Sequence, residues 1–365
     1  MKIAILADPL DNQSAGVHTY TRQLVQALAE FDSENEYILI REKKDPKLPF
    51  EQIAIPNIHL PIGFASFRLF FIIPLILRFK KIDAVLEPAH FGPFNLPKNI
   101  KRITMIHDLT PLIFPQHHRY HSQLLQRIFL KRILRKADLI LSNSQNTSND
   151  LIKVFPFTEP KINTILLGRD PDFQPTSSRT YLESKKIDAP YFIYTGTIEP
   201  RKNLIVLLDA YRLFRAHTKA KINLLIVGKK GWKTEAFYEH LESHPYREDI
   251  ILTGYVEKHE LIELYAHALA LVYPSLYEGF GLPILEALSC GTQVICSDNS
   301  SLPEVGGDVT LYFDAEDETK LYLHMVEVFK GFEEGLDLTE SFLKQADKFS
   351  WEGYVMGFKE AVKLM

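Results

Sequence analysis

The sequence predicts an α/β protein built from two doubly wound, Rossmann-like domains in tandem. Three observations carry this. Short apolar runs rich in β-branched residues alternate with helix-period segments, the pattern of parallel sheets covered by helices on both faces. The alternation stops at residues 168–178, GRDPDFQPTSS, and then restarts. A chain of 365 residues is also long enough for about two domains.

In the first half the expected strands are KIAILA (2–7), YILI (37–40), DAVLEP (83–88), RITMIH (102–107), LILSNS (139–144) and INTILL (162–167). Between them HTYTRQLVQALAEF (18–31) and SQLLQRIFLKRILRKA (122–137) have helical periodicity. In the second half the strands are YFIYTG (191–196), INLLIVG (222–228), DIILTGY (249–255), ALVYPS (270–275) and TQVICSD (292–298). LPILEALSCG (282–291) reads as a helix with Pro283 in its first turn and Gly291 closing it. The final segment, 349–365, is an apolar-periodic helix.

Composition excludes several classes. Hydrophobic residues make up 46% and charged residues 24%, values of an ordinary soluble globular protein. Cys290 and Cys296 are the two cysteines and form no CxxC pair, which fits a reducing cytoplasm. Met1 leads straight into a strand, without the apolar region of a signal peptide. The longest apolar run, LFFIIPLIL (69–77), has nine residues, whereas a membrane span needs about twenty. The net charge of −4 hides an asymmetry: residues 1–170 carry 22 basic and 16 acidic residues, a balance of +6, and residues 171–365 carry 20 and 30, a balance of −10. A basic half can face an anionic partner.

Ligands of such sheets bind outside the carboxyl ends of the strands, so the strand-to-helix loops are where chemistry is expected. The first loop, ADPLDNQSAGVHTYTRQL (7–24), opens a helix near Gly16 and offers N–H groups to an anion. It lacks both the GxGxxG and the GxxxxGK[ST] patterns, so an ordinary N-capped turn is the rival reading. RITMIH delivers His107 and Asp108 at a strand's carboxyl end, where a histidine can bind a ligand or move a proton. His117 and His121, at i and i+4, could clamp a metal if helical, but no third ligand of matching spacing follows, and no metal site is expected. In GTIEPRKN (196–203), Arg201 and Lys202 stand beside a helix N-terminus, against the helix dipole. A diphosphate would neutralise them, gripped bidentately by the arginine.

The sharpest stretch is SLYEGFGLPILEALSCG (275–291), where Glu278 and Glu286 have seven residues between them. A loop carboxylate with nearby backbone amides can grip sugar hydroxyls. A carboxylate one helical turn deeper can accept both hydroxyls of a ribose. The two glutamates would bracket one nucleotide sugar.

YEGFGLPILEAL (277–288) resembles the E-x7-E motif of retaining GT-B glycosyltransferases of family 4, which includes many bacterial mannosyltransferases. GTIEPRKN resembles that family's diphosphate loop, and VGKKGW, LTGYV and SSLPEVGGD follow in the family's order. HDL and the SAG loop match the N-terminal half, with Ala15-Gly16 standing where the family usually has two glycines.

The resemblance implies GT-B architecture, two Rossmann-like domains facing across a cleft. Residues 1–170 would form the acceptor-side domain, with the helix at about 349–365 packing back on it; residues 171–348 would form the nucleotide-sugar domain. It implies donor contacts at Gly16, Gly196, Arg201 and Lys202 for the diphosphate, Glu286 for the ribose, and Tyr255 and Val256 beside the base. Glu278 with the amides of Phe280, Gly281 and Leu282 would hold the sugar, and His107 would lie near the reacting carbon. The implied reaction is metal-independent transfer of a hexose, with retention, to a glycan or lipid-linked acceptor. GDP-mannose is the favoured donor and a UDP-sugar the other candidate. No cofactor and no nucleic-acid partner are expected.

Three rival classes stay open at this stage. A metal-dependent transferase would use an Asp-x-Asp motif, and Asp170-Pro171-Asp172 is one. A GT-B-shaped sugar-nucleotide epimerase or hydrolase, and a non-catalytic nucleotide-sugar binder, are the other two. Peripheral contact with an anionic membrane is a further expectation. FRLFFIIPLILRFKK (67–81) joins an apolar run to four cations, and Arg127, Lys131 and Arg135 form a basic stripe on the predicted helix from Arg119 to Lys136. Against it, an apolar run of this length is more often a buried core helix, and Pro74 interrupts it.

Overall fold

Two all-parallel sheets organise the chain. In this computed structural model residues 1–12, 16–56, 67–90, 92, 95–117 and 126–365 are described, the side chains of Asn12, His117, Gln126 and Arg127 excepted. One unit comprises Met1–Gly168 with Ser350–Met365, the other Arg169–Phe349.

The first unit contains strands β1 (Lys2–Leu6), β2 (Glu36–Arg41), β3 (Glu51–Ala54), β4 (Ala84–Glu87), β5 (Lys101–Ile106), β6 (Leu139–Ser142) and β7 (Ile162–Thr164). Their order across the sheet is β3-β2-β1-β4-β5-β6-β7. The second unit contains β8 (Tyr191–Thr195), β9 (Asn223–Val227), β10 (Ile250–Gly254), β11 (Ala270–Tyr273), β12 (Val294–Ser297) and β13 (Leu311–Phe313), in the order β10-β9-β8-β11-β12-β13. Strand order reverses between β1 and β4, and again between β8 and β11. These are the positions where such sheets leave a crevice at their carboxyl ends.

The central strands read as unbroken apolar runs because both faces are covered. Ile3, Ala4 and Ile5 of β1 and Phe192 and Ile193 of β8 are fully buried. The terminal helix, Trp351–Lys363, belongs to the first unit and packs on the helix Gly16–Phe31. Its Tyr354 hydroxyl meets that of Tyr20 at 2.6 Å, and Lys359 and Lys363 both reach Glu34, at 2.5 and 3.1 Å.

Two expectations about the apolar segment near residue 70 change. Pro74 does not interrupt the helix. A π-helical turn, Arg68–Ile72, runs into the α-helix Ile73–Phe79, and Pro74, the second residue of that α-helix, stands at the junction between the two. Nor is the run simply buried: Ile73 and Leu77 join the core under the sheet, whereas Phe67, Phe71, Leu75 and Phe79 face solvent.

The predicted helix from Arg119 enters the described residues at Gln126, as a π-helical turn to Leu130 followed by Lys131–Lys136. His118 and His121 lie outside the described residues. Among the described residues no helix is long and apolar enough to cross a membrane.

Candidate functional site

The chemistry-bearing residues of the second unit lie on the loops leaving β8, β9, β10 and β11, four adjacent strands. Two glycines let two of these loops meet. Gly196 and Gly228 follow β8 and β9 with φ of 141° and 146°, a conformation that side-chain-bearing residues rarely adopt. The Gly228 amide donates to Gly254 O at 2.8 Å, and a Cβ on Gly228 would stand 1.9 Å from Gly196 O. Gly228→Ala is therefore expected to cost about 2 kcal/mol or more of stability, from strain and backbone clash together. Thermal unfolding would show it as a Tm lowered by several degrees; an unchanged Tm would mean that this crossing is not rigid.

Beyond Gly196, the turn Pro200–Lys202 carries both cations into the interior. Lys202 is buried, and its Nζ donates to Glu278 Oε1 and to the Tyr273 hydroxyl, each at 2.6 Å. The Tyr273 hydroxyl also donates to Glu278 Oε1 at 3.1 Å. Arg201 lies 2.9 Å from Glu278 Oε2, donates to Tyr277 O at 2.6 Å and pairs with Glu199 Oε1 at 2.6 Å. Burial pushes the Glu278 carboxyl up, but Arg201 and Lys202 outweigh it and hold it down at about 2. Burial pulls the Lys202 ammonium below its ordinary value, against the pull of Glu278.

This corrects one step of the sequence argument. Arg201 and Lys202 do not stand uncompensated at a helix N-terminus: Glu199 and Glu278 neutralise them, and Asn203, with φ 56°, separates them from the helix Leu204–His217.

Glu278 lies on the loop leaving β11, and that loop is pinned. Its N–H donates to Ser300 Oγ at 3.0 Å, and Ser301 Oγ donates to the carbonyls of Glu278 and Phe280, both at 2.9 Å. Phe280 is buried. Gly281, with φ 111°, turns the chain into the helix Leu282–Ser289, whose first turn holds Pro283.

Glu286 lies further along this helix and is half-buried. Its Oε2 accepts from the Tyr265 hydroxyl at 3.2 Å. Burial is the main influence on it and, with Asp170 adding to it, raises the carboxyl to about 7 against Tyr265 and Lys258. The two glutamates are thus pushed in opposite directions, a separation typical of functional carboxylates.

Tyr255 and Val256 follow β10. The Tyr255 ring is exposed with Lys229 Nζ 4.5 Å from its centroid, while Val256 is buried. Asp170 and Asp172, the Asp-x-Asp pair, both take Lys258 Nζ at 2.6 Å.

In the first unit Gly16 begins its helix; Ser14 and Ala15 lie outside the described residues. His107 follows β5. Its Nε2 lies 2.8 Å from Pro88 O, and because a carbonyl only accepts, Nε2 carries the proton and Nδ1 is the acceptor of the neutral ring. The His107 backbone N–H donates to His90 Nε2 at 2.7 Å. Burial and the neighbouring His90 push His107 down to about 4, so the ring is neutral at pH 7. Asp108 Oδ1 accepts from the Thr110 amide and hydroxyl at 3.0 and 2.6 Å.

The sequence reading missed Glu199, Tyr273 and His90. The carboxyl-end position of His90 beside β5, and an acid two residues before Arg201, were the signals available.

Two family descriptions match the chain: "Glycosyltransferase Family 4" over residues 14–173 and "Glycosyl transferases group 1" over 178–328. The O-antigen chain mannosyltransferase B of Escherichia coli is 35% identical over 282 residues, 76% of this chain and 74% of that protein. The serotype-specific mannosyltransferase WbdA of Escherichia coli is 29% identical over 261 residues, 69% of this chain but 32% of WbdA. Anabaena HepE, solved with UDP and glucose, superposes with a TM-score of 0.75 over the full length of both chains at 14% identity. The chain belongs to the family 4 glycosyltransferases of GT-B architecture.

Proposed function

We propose that the protein is a retaining hexosyltransferase that moves mannose from GDP-mannose to a glycan or lipid-linked acceptor without a metal ion. The observation that carries this is the charge cluster at the carboxyl ends of β8 and β11. Arg201 and Lys202 are held together by Glu278, one turn of loop away from the helix that carries Glu286. In this reading the diphosphate takes Arg201 and Lys202, with Gly196 and Gly16 allowing close backbone approach. Glu286 holds the ribose and Tyr255 and Val256 flank the base. Glu278 and the amides of Phe280, Gly281 and Leu282 hold the hexose. The mannosyltransferase relatives support mannose as the sugar; HepE, solved with UDP and glucose, keeps UDP-hexoses as the second donor class.

Catalysis would rest on positioning and on two cations facing the departing diphosphate. His107, neutral and weakly basic, would accept a sugar hydroxyl through Nδ1 rather than remove the acceptor's proton. That proton would pass to the leaving phosphate oxygen on the same face of the sugar, which preserves the anomeric configuration.

The test is incubation of the pure protein with GDP-mannose and UDP-hexoses, with and without EDTA and with candidate acceptors. Transfer of mannose with retained configuration, unaffected by EDTA, is the expected result. Activity abolished by EDTA and restored by a divalent cation would overturn the metal-independent mechanism. Sugar release or isomerisation that needs no acceptor would overturn the transferase reading.

A further inference from the structure

The loop leaving β4 carries a second histidine, His90, that the proposed reaction leaves unused. The ladder between β4 and β5 runs from Ala84 opposite Lys101 to Glu87 opposite Thr104. Pro88, next in line, has no N–H to continue it. Side-chain bonds join the two segments from there. The His107 ring donates from Nε2 to Pro88 O at 2.8 Å, and the His107 backbone N–H donates to His90 Nε2 at 2.7 Å. His90 Nε2 is therefore an acceptor, and the proton of its neutral ring sits on Nδ1. Burial pulls His90 below its ordinary value, against Asp108, which keeps the ring neutral and able to accept.

The turn that delivers His90 is wound tightly. The Ala89 N–H donates to Glu87 Oε1 at 2.6 Å, and a Cβ on Gly92 would stand 2.7 Å from Glu87 Cγ. His90 itself has φ 69°, a left-handed backbone that is uncommon outside glycine. What the imidazole supplies at this strained position is the acceptor for His107. Two further contacts hold His107. The Tyr20 ring meets its ring edge-on at 4.8 Å, and Thr147 Oγ1 donates to its carbonyl at 3.2 Å.

We propose that His90 is a positioning residue for glycosyl transfer, setting the backbone of His107 so that Nδ1 of that ring meets a hydroxyl of the hexose. This rests on the reading that His107 contacts the sugar. The bond from His90 fixes the direction in which residue 107 projects, and the Pro88 carbonyl fixes the rotation and tautomer of its ring. A contact misplaced by about 1 Å can cost up to about a hundredfold in rate. The nucleoside diphosphate, in that reading, is gripped by Arg201, Lys202 and Glu286. Loss of the His90 acceptor should therefore lower kcat and spare the affinity for GDP.

Mannose transfer from GDP-mannose and calorimetric titration with GDP test this together. His90→Gly relieves the left-handed backbone and removes the acceptor. Its kcat should fall about tenfold, with the number of GDP sites and their affinity within about twofold of the parent. A merely unfolded fraction would lower the number of GDP sites in step with kcat. His90→Gln keeps an acceptor at about the reach of Nε2 and should recover most of kcat. His107→Ala should cost at least as much as His90→Gly, and adding His90→Gly to it should cost less than about twofold more, because the contact being positioned is already gone. His90→Gly with parental kcat overturns the proposal. So does an undiminished His90→Gly loss in the His107→Ala background, or a glutamine variant no better than the glycine one. The underlying reading fails separately: a parent that transfers no mannose, or His107→Ala with parental kcat, would take His107 off the hexose whatever His90 does.

Discussion

The Glu278→Gln variant is expected to lose about a hundredfold in turnover while holding the nucleoside diphosphate more tightly than the parent. The two effects have different origins. In the structure Glu278 occupies both cations: Lys202 on Oε1 at 2.6 Å and Arg201 on Oε2 at 2.9 Å. A diphosphate that is to use the same cations must draw them away from this carboxylate. Removing the negative charge removes the competitor, and a gain of about tenfold in diphosphate affinity corresponds to about 1.4 kcal/mol, close to the lower end of what one charge-assisted bond contributes. Arg201 still has Glu199 at 2.6 Å, so the loop stays in place. Turnover falls because the carboxylate's grip on the hexose strengthens as positive charge develops at the anomeric carbon, and loss of one such contact costs about a hundredfold or more. Without ligand, Lys202 keeps only neutral partners in a buried site, so the ligand-free Tm should drop and recover on adding diphosphate. Steady-state kinetics beside titration calorimetry separates these effects. If diphosphate binding weakens in step with turnover, Glu278 supports the cations rather than competing for them.

How much of this was legible in sequence differs by element. The strands that carry the site were legible because β1, β8 and β11 are covered on both faces and run almost wholly in aliphatic and aromatic residues, KIAIL, YFIYT and ALVY. The edge strands β3 and β13 were not. Glu-Gln-Ile-Ala and Leu-Tyr-Phe are four and three residues long, and among the described residues one side of each has no neighbouring strand to demand an apolar run. Glu278, Glu286, Arg201 and Lys202 were found because their spacing is fixed by a loop and the first turn of a helix. Their pairing was missed because it joins residues 76 positions apart, across neighbouring strands. The outward phenylalanines near residue 70 were hidden for a related reason. An apolar run records which residues avoid water, not which of its sides finds cover.

Donor binding is expected to strengthen about tenfold between pH 6 and pH 8, and Glu286→Gln should flatten that dependence. A ribose diol is bound by a carboxylate acting as acceptor, so only the ionised form of Glu286 serves. Burial, with Asp170 adding to it, raises this carboxyl to about 7, and Tyr265 and Lys258 oppose the rise only in part. An unfolded glutamate ionises near pH 4.3 or about that value. Between those two values the folded chain therefore holds a proton that the unfolded chain has lost. Stability drawn from Glu286 is full below the unfolded value and declines as pH rises toward about 7. Binding runs the other way, because the diol selects the ionised carboxylate and expels the proton. At pH 7 about half a proton should leave per donor bound. Calorimetry in buffers of different ionisation enthalpy measures that number directly, and it should vanish in Glu286→Gln along with most of the affinity. A parent enzyme whose donor affinity is level from pH 6 to 8, or a glutamine variant that keeps the slope, would remove Glu286 from the ribose and place the titration elsewhere.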